Sequence, residues 1–216
     1  MDNQIARELI QTRIRESVKT KIQLLENVDV IQRVATAMVT AYKSHNKVLL
    51  FGNGGSAADA QHIAGELVGI FYVRNRAPLP MLALTTNSSS MTAIANDLSF
   101  AEVFARQVEA YGEPGDVVIG ISTSGNSDNV NRALEIAKHK GMVSVGLTGR
   151  TGGKSREIVD YCITVPSDET PRIQEAHILI GHILCELVER EIFGQQSHAL
   201  YANDASERDQ AVIVTG

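Results

Sequence analysis

The chain predicts an α/β fold in which a five-stranded parallel sheet is covered by helices on both faces. Three observations carry that prediction. Short, continuous apolar runs recur from residue 48 onward, and stretches of helical periodicity separate them. Two of the runs, Val48–Leu49–Leu50–Phe51 and Val117–Val118–Ile119–Gly120–Ile121, end in polar, glycine-bearing turns that open directly into helices. Strands that are apolar on both faces belong to sheets buried on both sides, and the helices between them are the crossovers that a parallel sheet requires.

Residues 1–46 precede this alternation and predict a helical pair. Ile5, Leu9, Ile10, Ile14, Val18, Ile22 and Leu25 recur at helical spacing, and Val30, Ile31, Val34, Ala37, Met38 and Tyr42 do so again. The break falls near Glu26–Asn27–Val28, and His45–Asn46–Lys47 ends the second helix. With no strand before it, the pair needs another apolar surface, either its own domain or a second subunit, and pairing between subunits is the preferred expectation. Strands follow near 47–51, 80–84, 116–121, 142–147 and 161–165, with helices near 56–69, 89–95, 101–110, 127–139 and 171–192. One domain therefore spans 1–193. The segment 194–216 is polar until Ala211–Val212–Ile213–Val214 and is expected to be a disordered tail.

Bulk properties narrow the function classes. A chain of 216 residues is long enough for one domain to bury its own core without staples. Hydrophobic content of 44% with 21% charge describes a globular protein, and a formal net charge of −5 argues against nonspecific nucleic-acid binding. Cys162 and Cys185 stand apart without a CxxC pair, as buried thiols do in a reducing compartment. No apolar run approaches the roughly 18 residues of a membrane helix, so a soluble, cytoplasmic protein is expected.

The chemistry concentrates at the ends of two strands. Gly52–Asn53–Gly54–Gly55–Ser56 and Ser122–Thr123–Ser124–Gly125–Asn126–Ser127 each join a buried strand to a helix. Such turns set backbone N–H groups and hydroxyls at the positive end of a helix, where an anion is favoured. Asn126 and Ser127 read as an N-cap, but capping does not account for Ser122, Thr123, Ser124 and Ser127 together. A bound phosphate does. The first turn has neither the spacing and lysine of a P-loop nor a GxGxxG pattern, so no dinucleotide cofactor is predicted.

Two further clusters have metal or catalytic chemistry. His62 and Glu66 are four apart on a helix and share a face. Gln174, His177 and His182 lie on the last long helix, where a histidine on an apolar face is either a hydrogen-bonded core residue or a ligand. Imidazole and carboxylate suit zinc, and a Gln carbonyl is an uncommon oxygen ligand. Eight residues of helix rise about 12 Å, so Gln174 and His182 share an ion only by reaching toward each other, unless one serves another subunit or another role. Asn96–Asp97 reads either as a helix C-terminus with a left-handed Asn or as a pair of groups for sugar hydroxyls. Thr148–Gly149–Arg150–Thr151–Gly152–Gly153 reads as a loop without distinctive chemistry.

Phe51–Gly52–Asn53–Gly54–Gly55–Ser56, Ala95–Asn96–Asp97, Gly120 to Ser127, Leu147–Thr148–Gly149 and Arg172–Ile173–Gln174–Glu175 together resemble the phosphoheptose isomerases of the sugar-isomerase (SIS) superfamily, in order across residues 10–193. The resemblance implies a flavodoxin-like three-layer α/β/α sandwich and a cytoplasmic homotetramer with active sites near subunit interfaces. It also implies conversion of sedoheptulose 7-phosphate to D-glycero-D-manno-heptose 7-phosphate, the first step toward the heptose of lipopolysaccharide. Carried over residue by residue, Ser122, Thr123, Ser124 and Ser127 hold the phosphate, with Asn53, Gly54, Gly55, Ser56, Asn96, Asp97 and Gln174 as further substrate contacts. One Zn2+ per subunit falls to His62, Glu66, Gln174 and His182, and Glu66 and His182 match the family's base and acid. Two departures stand out. Where relatives have an Arg after the matched Glu, this chain has Val68–Gly69–Ile70–Phe71, leaving that basic contact absent or supplied by Arg74 or Arg76. Where they often have Glu–Glu, it has Gly65–Glu66.

Thr92 to Asp97 and Glu191–Ile192–Phe193 also resemble DiaA, an SIS relative that binds the replication initiator DnaA. Regulators of that group lose the acid/base pair, whereas Glu66 and His182 are both present here. A DnaA-binding regulator and a noncatalytic sugar-phosphate binder are therefore the alternatives to an isomerase.

Overall fold

Alternate side chains of the central strands fill two different cores, as a sheet buried on both faces requires. The computed structural model describes residues 3–208, those after Gly194 by their backbone alone. Its strands are β1 (Val48–Gly52), β2 (Met81–Ala83), β3 (Val117–Ser122), β4 (Val143–Thr148) and β5 (Tyr161–Thr164). They form one parallel sheet in the order β2-β1-β3-β4-β5. The helices are α1 (Asn3–Gln23), α2 (Val28–Lys43), α3 (Gly55–Val68), α4 (Ser88–Asp97), α5 (Ala105–Tyr111), α6 (Asp128–His139), α7 (Ser155–Ile158) and α8 (Thr170–Arg208). Val48, Leu50, Val117 and Ile119 point into a core closed by α2, α3 and α8. Leu49, Phe51 and Val118 point into the other, closed by α5 and α6. The three-layer sandwich is thus the observed architecture.

That strand order turns back at β1. The chain runs from β1 outward to β2, then returns to the other side of β1 for β3, so β1 and β3 are neighbours with Gly52 opposite Ile121. Connections from the carboxyl ends of these two strands diverge to opposite faces, opening the crevice where α/β sheets bind ligands. Both glycine- and serine-bearing turns leave from it.

The opposite end of the sheet is tied by a buried carboxylate. Asp116 is fully buried and accepts bonds from Lys47 N (3.0 Å), Lys47 Nζ (2.6 Å), Asn46 Nδ2 (3.0 Å) and Glu113 N (2.8 Å). Burial alone would raise its carboxyl, but these donors outweigh burial and hold it below the usual carboxylate range.

Helix α1 is formed as its periodicity predicts, yet it packs little. Ile5, Ile10, Ile14 and Ile22 are 59–60% exposed, and Thr20 is its buried residue among those described. Arg13 pairs with Glu169 at 2.9 Å, and Arg172 donates to the Arg13 carbonyl at 3.0 Å, fixing α1 beside the start of α8. At the far end, α8 is broken at Phe193 (φ −116°, ψ 19°). Of the segment 194–216, expected to be disordered, the backbone to Arg208 is helical and the remainder lies outside the described residues.

Candidate active site

Three side chains from two helices converge on one another. His62 Nε2 lies 3.0 Å from Glu66 Oε1 and 3.1 Å from His182 Nε2, and His182 Nε2 is 3.9 Å from Glu66 Oε1. His62 and Glu66 are one turn apart on α3, while His182 comes from α8. Gly181 permits this approach, since a methyl there would meet Ile63 Cδ1 at 2.4 Å, next to His62 itself. Phe71 stacks on the His182 ring with centroids 5.8 Å apart.

The donor set and its spacing suit a divalent cation. Tetrahedral zinc with bonds of roughly 2.0–2.1 Å separates neighbouring ligand atoms by about 3.3 Å. The potential ligand atoms of His62, Glu66 and His182 all lie within 4.8 Å of one another. One turn before His62, Asp59 has a buried Oδ2 without a hydrogen-bond partner. Burial raises its carboxyl against the opposing pull of His62. Gln174 approaches the first turn, its Nε2 lying 2.4 Å from where a Cβ on Gly55 would stand.

The two turns are joined to each other. Asn53 and Asn129 exchange a reciprocal amide pair, each Nδ2 donating to the other's Oδ1 at 2.9 Å. Asn129 is buried on the first turn of α6 and was not among the expected site residues. Its only sequence signal is its place two residues after Ser127, where a polar residue ordinarily reads as solvated. Gly54 stands at the N-cap of α3 with a positive φ of 56°, and Ser56 is buried. On the second turn, Ser127 stands at the N-cap position of α6 but makes no capping bond from its side chain. Its hydroxyl is 2.9 Å from Ser122 Oγ instead. The expected side-chain cap is therefore absent because that hydroxyl is held in the crevice. Thr123 is half-buried and Ser124 exposed beside it.

The remaining candidates make the following contacts. Asn96 and Asp97 end α4, with Asn96 Nδ2 donating to Asp97 Oδ1 at 2.8 Å. Among the described residues His45 is the non-glycine with positive φ, so Asn96 is not a left-handed cap. His177 is fully buried, with Nε2 3.2 Å from the Thr148 carbonyl and Nδ1 without a partner. Burial lowers its pKa to about 4 despite the Thr148 bond, so it is a neutral core histidine that fastens α8 to the end of β4. Arg76 cannot supply the missing basic contact. Its guanidinium is buried, bonded to Glu189 Oε1 at 2.5 Å, Leu67 O at 2.8 Å and Glu66 O at 2.7 Å. Glu189 also accepts from Tyr72 N and Val73 N at 3.0 and 3.2 Å, which seats the loop carrying Phe71. Arg74 remains exposed.

The SIS-domain family model matches residues 14–149. A phosphoheptose isomerase from Aneurinibacillus thermoaerophilus is 56% identical over 189 residues, covering 86% of this chain and 95% of the relative. The structure of phosphoheptose isomerase GmhA from Neisseria gonorrhoeae superposes with a TM-score of 0.80 at 41% identity, covering 85% of this chain and 98% of that one. A phosphoheptose isomerase structure from Francisella tularensis gives 0.83 at 36% identity, covering 86% and 98%. The chain is an isomerase and belongs to the phosphoheptose isomerase family of SIS-domain proteins.

Proposed function

We propose that the enzyme interconverts sedoheptulose 7-phosphate and D-glycero-D-manno-heptose 7-phosphate through an enediol(ate). The observation that carries this reading is the meeting of Glu66 with His182 in a chain whose second turn also brings the Ser122 and Ser127 hydroxyls together. Aldose–ketose isomerisation moves one proton between adjacent carbons and one between their oxygens. The Glu66 carboxylate takes a proton from C1 of the ketose and returns it to C2. The His182 imidazole gives a proton to the C2 oxygen as the enediol forms and takes one back from the C1 oxygen as the aldehyde appears. His62, Glu66 and His182 would hold a zinc ion, with Gln174, seated against Gly55, completing the set from another subunit, and the chemistry the ion would supply is polarisation of the substrate carbonyl.

Ser122, Thr123, Ser124 and Ser127 would bind the phosphate, with Asn53, Gly54, Gly55, Ser56, Asn96 and Asp97 lining the sugar. Anchoring the phosphate remote from the reacting carbons lets its binding energy fix their orientation. A DnaA-binding regulator or a passive binder would not need Glu66 and His182 together. The exposed apolar face of α1 supports assembly into a homotetramer, and no helix among the described residues is long and apolar enough to cross a membrane. A cytoplasmic role in making heptose for lipopolysaccharide follows from this substrate.

Zinc-loaded protein incubated with sedoheptulose 7-phosphate should yield the aldose phosphate by NMR, and no product under those conditions would reject the substrate. Light scattering should give four times the chain mass, and a monomer would reject the assembly.

A further inference from the structure

The loop after β4, without distinctive side-chain chemistry in the sequence, is packed against the second turn. Gly149 N donates to Thr123 O at 3.0 Å, and Lys154 N donates to Asn126 Oδ1 at 3.0 Å. The contact leaves no space for a methyl. A Cβ on Gly125, whose φ is +65°, would stand 2.0 Å from Gly152 O, and one on Gly153 would stand 2.4 Å from Ser124 O.

The Gly125 carbonyl is the most heavily engaged. It accepts from Ser155 N at 3.0 Å and Asn131 Nδ2 at 3.3 Å, and the Ser155 hydroxyl lies 3.0 Å from it. That hydroxyl also donates to Asn131 Oδ1 at 2.6 Å. Asn131 and Ser155 are 6% and 1% exposed, so this is a built polar cluster and not a surface contact. The remaining carbonyls of the turn are occupied too. Ser122 O accepts from Gly125 N at 3.1 Å, and Ser124 O accepts from Asn126 Nδ2 at 3.0 Å.

We infer that Asn131 and Ser155 are positioning residues for phosphate binding, which fix the Ser122–Ser127 turn by clamping the Gly125 carbonyl from behind. A carbonyl oxygen aimed at a phosphate repels it, and a peptide free to flip would present that oxygen in a fraction of molecules. With every carbonyl from Ser122 to Gly125 bound elsewhere, the turn offers donors to an anion without reorganising. Asn131 and Ser155 touch no substrate in this role. The inference rests on assigning the phosphate to this turn, and it adds a cause for the turn's selectivity.

The test is calorimetric titration of the full-length, zinc-loaded protein with inorganic phosphate, alongside steady-state kinetics on sedoheptulose 7-phosphate. In N131A and S155A the phosphate Kd should weaken roughly three- to tenfold, the scale of one lost hydrogen bond. KM should rise in parallel while kcat changes by less than about twofold, and S155T, which keeps the hydroxyl, should restore binding toward wild type. A purely structural role would lower the melting temperature and leave the Kd of the folded variants unchanged, which overturns the clamp. S155A keeps the backbone bond to Gly125 and carries the test if N131A does not fold. Failure of the wild-type protein to bind phosphate would instead overturn the assignment of phosphate to the turn.

Discussion

His182 Nε2 lies 3.1 Å from His62 Nε2, although the rings come from different helices 120 positions apart in the chain. Two imidazole nitrogens at this separation repel unless a proton or a cation lies between them. Zinc titration of metal-free protein should therefore reach one ion per chain, and a ligand-deleting change, His62→Ala or His182→Ala, should weaken affinity by more than about tenfold. Metal analysis after dialysis is the measurement. Full zinc retention in both variants would refute the centre.

Glu66 is 22% exposed by its side chain, within reach of both histidines. Replacing it with Gln keeps its size and an oxygen atom but removes the carboxylate proposed as the base. Turnover should fall by roughly 10²- to 10⁴-fold, with inorganic phosphate bound as tightly as before. Metal content measured on the same sample separates loss of the base from loss of the ion. Activity close to wild type would exclude Glu66 as the proton carrier.

The Arg76–Glu189 pair has side chains 0% and 1% exposed. Removing one partner strands a buried charge, so Glu189→Ala should cost about 3–5 kcal/mol in denaturant unfolding. Glu189→Gln should cost less, because an amide oxygen can still accept from Tyr72 and Val73. A cost below about 1 kcal/mol for Glu189→Ala would mean the pair is not buried in solution.

His177 makes stability depend on pH. Its pKa is lowered from 6.5 to about 4 by burial, so between those values the unfolded chain binds a proton that the folded one refuses. Stability is therefore full above pH 6.5 and falls as pH drops toward 4, by up to about 3 kcal/mol. Asp116, held below its reference value of 3.8, adds a separate loss at lower pH, as the folded carboxylate is finally protonated. Unfolding midpoints measured across this range should flatten between pH 6.5 and 4 in His177→Phe. An unchanged slope there would assign the effect to other groups.

Much of this was legible locally. Apolar runs and helical periodicity located each of the five strands, because both patterns arise from side-chain directions set by the nearest backbone. The four-residue spacing of His62 and Glu66 likewise determined that they share a face. The short helix α7 escaped notice, since a single turn carries no periodicity.

Contacts between distant segments were not legible in the residues alone. Periodicity says which face of an element is apolar, but not which element will cover it. Family resemblance paired His182 with Glu66, while Gly181 and Ile63 show how two helices come close enough for it. The sequence by itself determined the layers, the donor-rich turns and the α3 half of the His62–Glu66–His182 cluster. Only the tertiary structure decided that Ser127 faces Ser122 and does not cap α6, that Arg76 serves Glu189, and that Asn131 and Ser155 hold the Gly125 carbonyl. The reason is that a polar group's partner depends on which buried surfaces meet, and the order of strands sets that meeting.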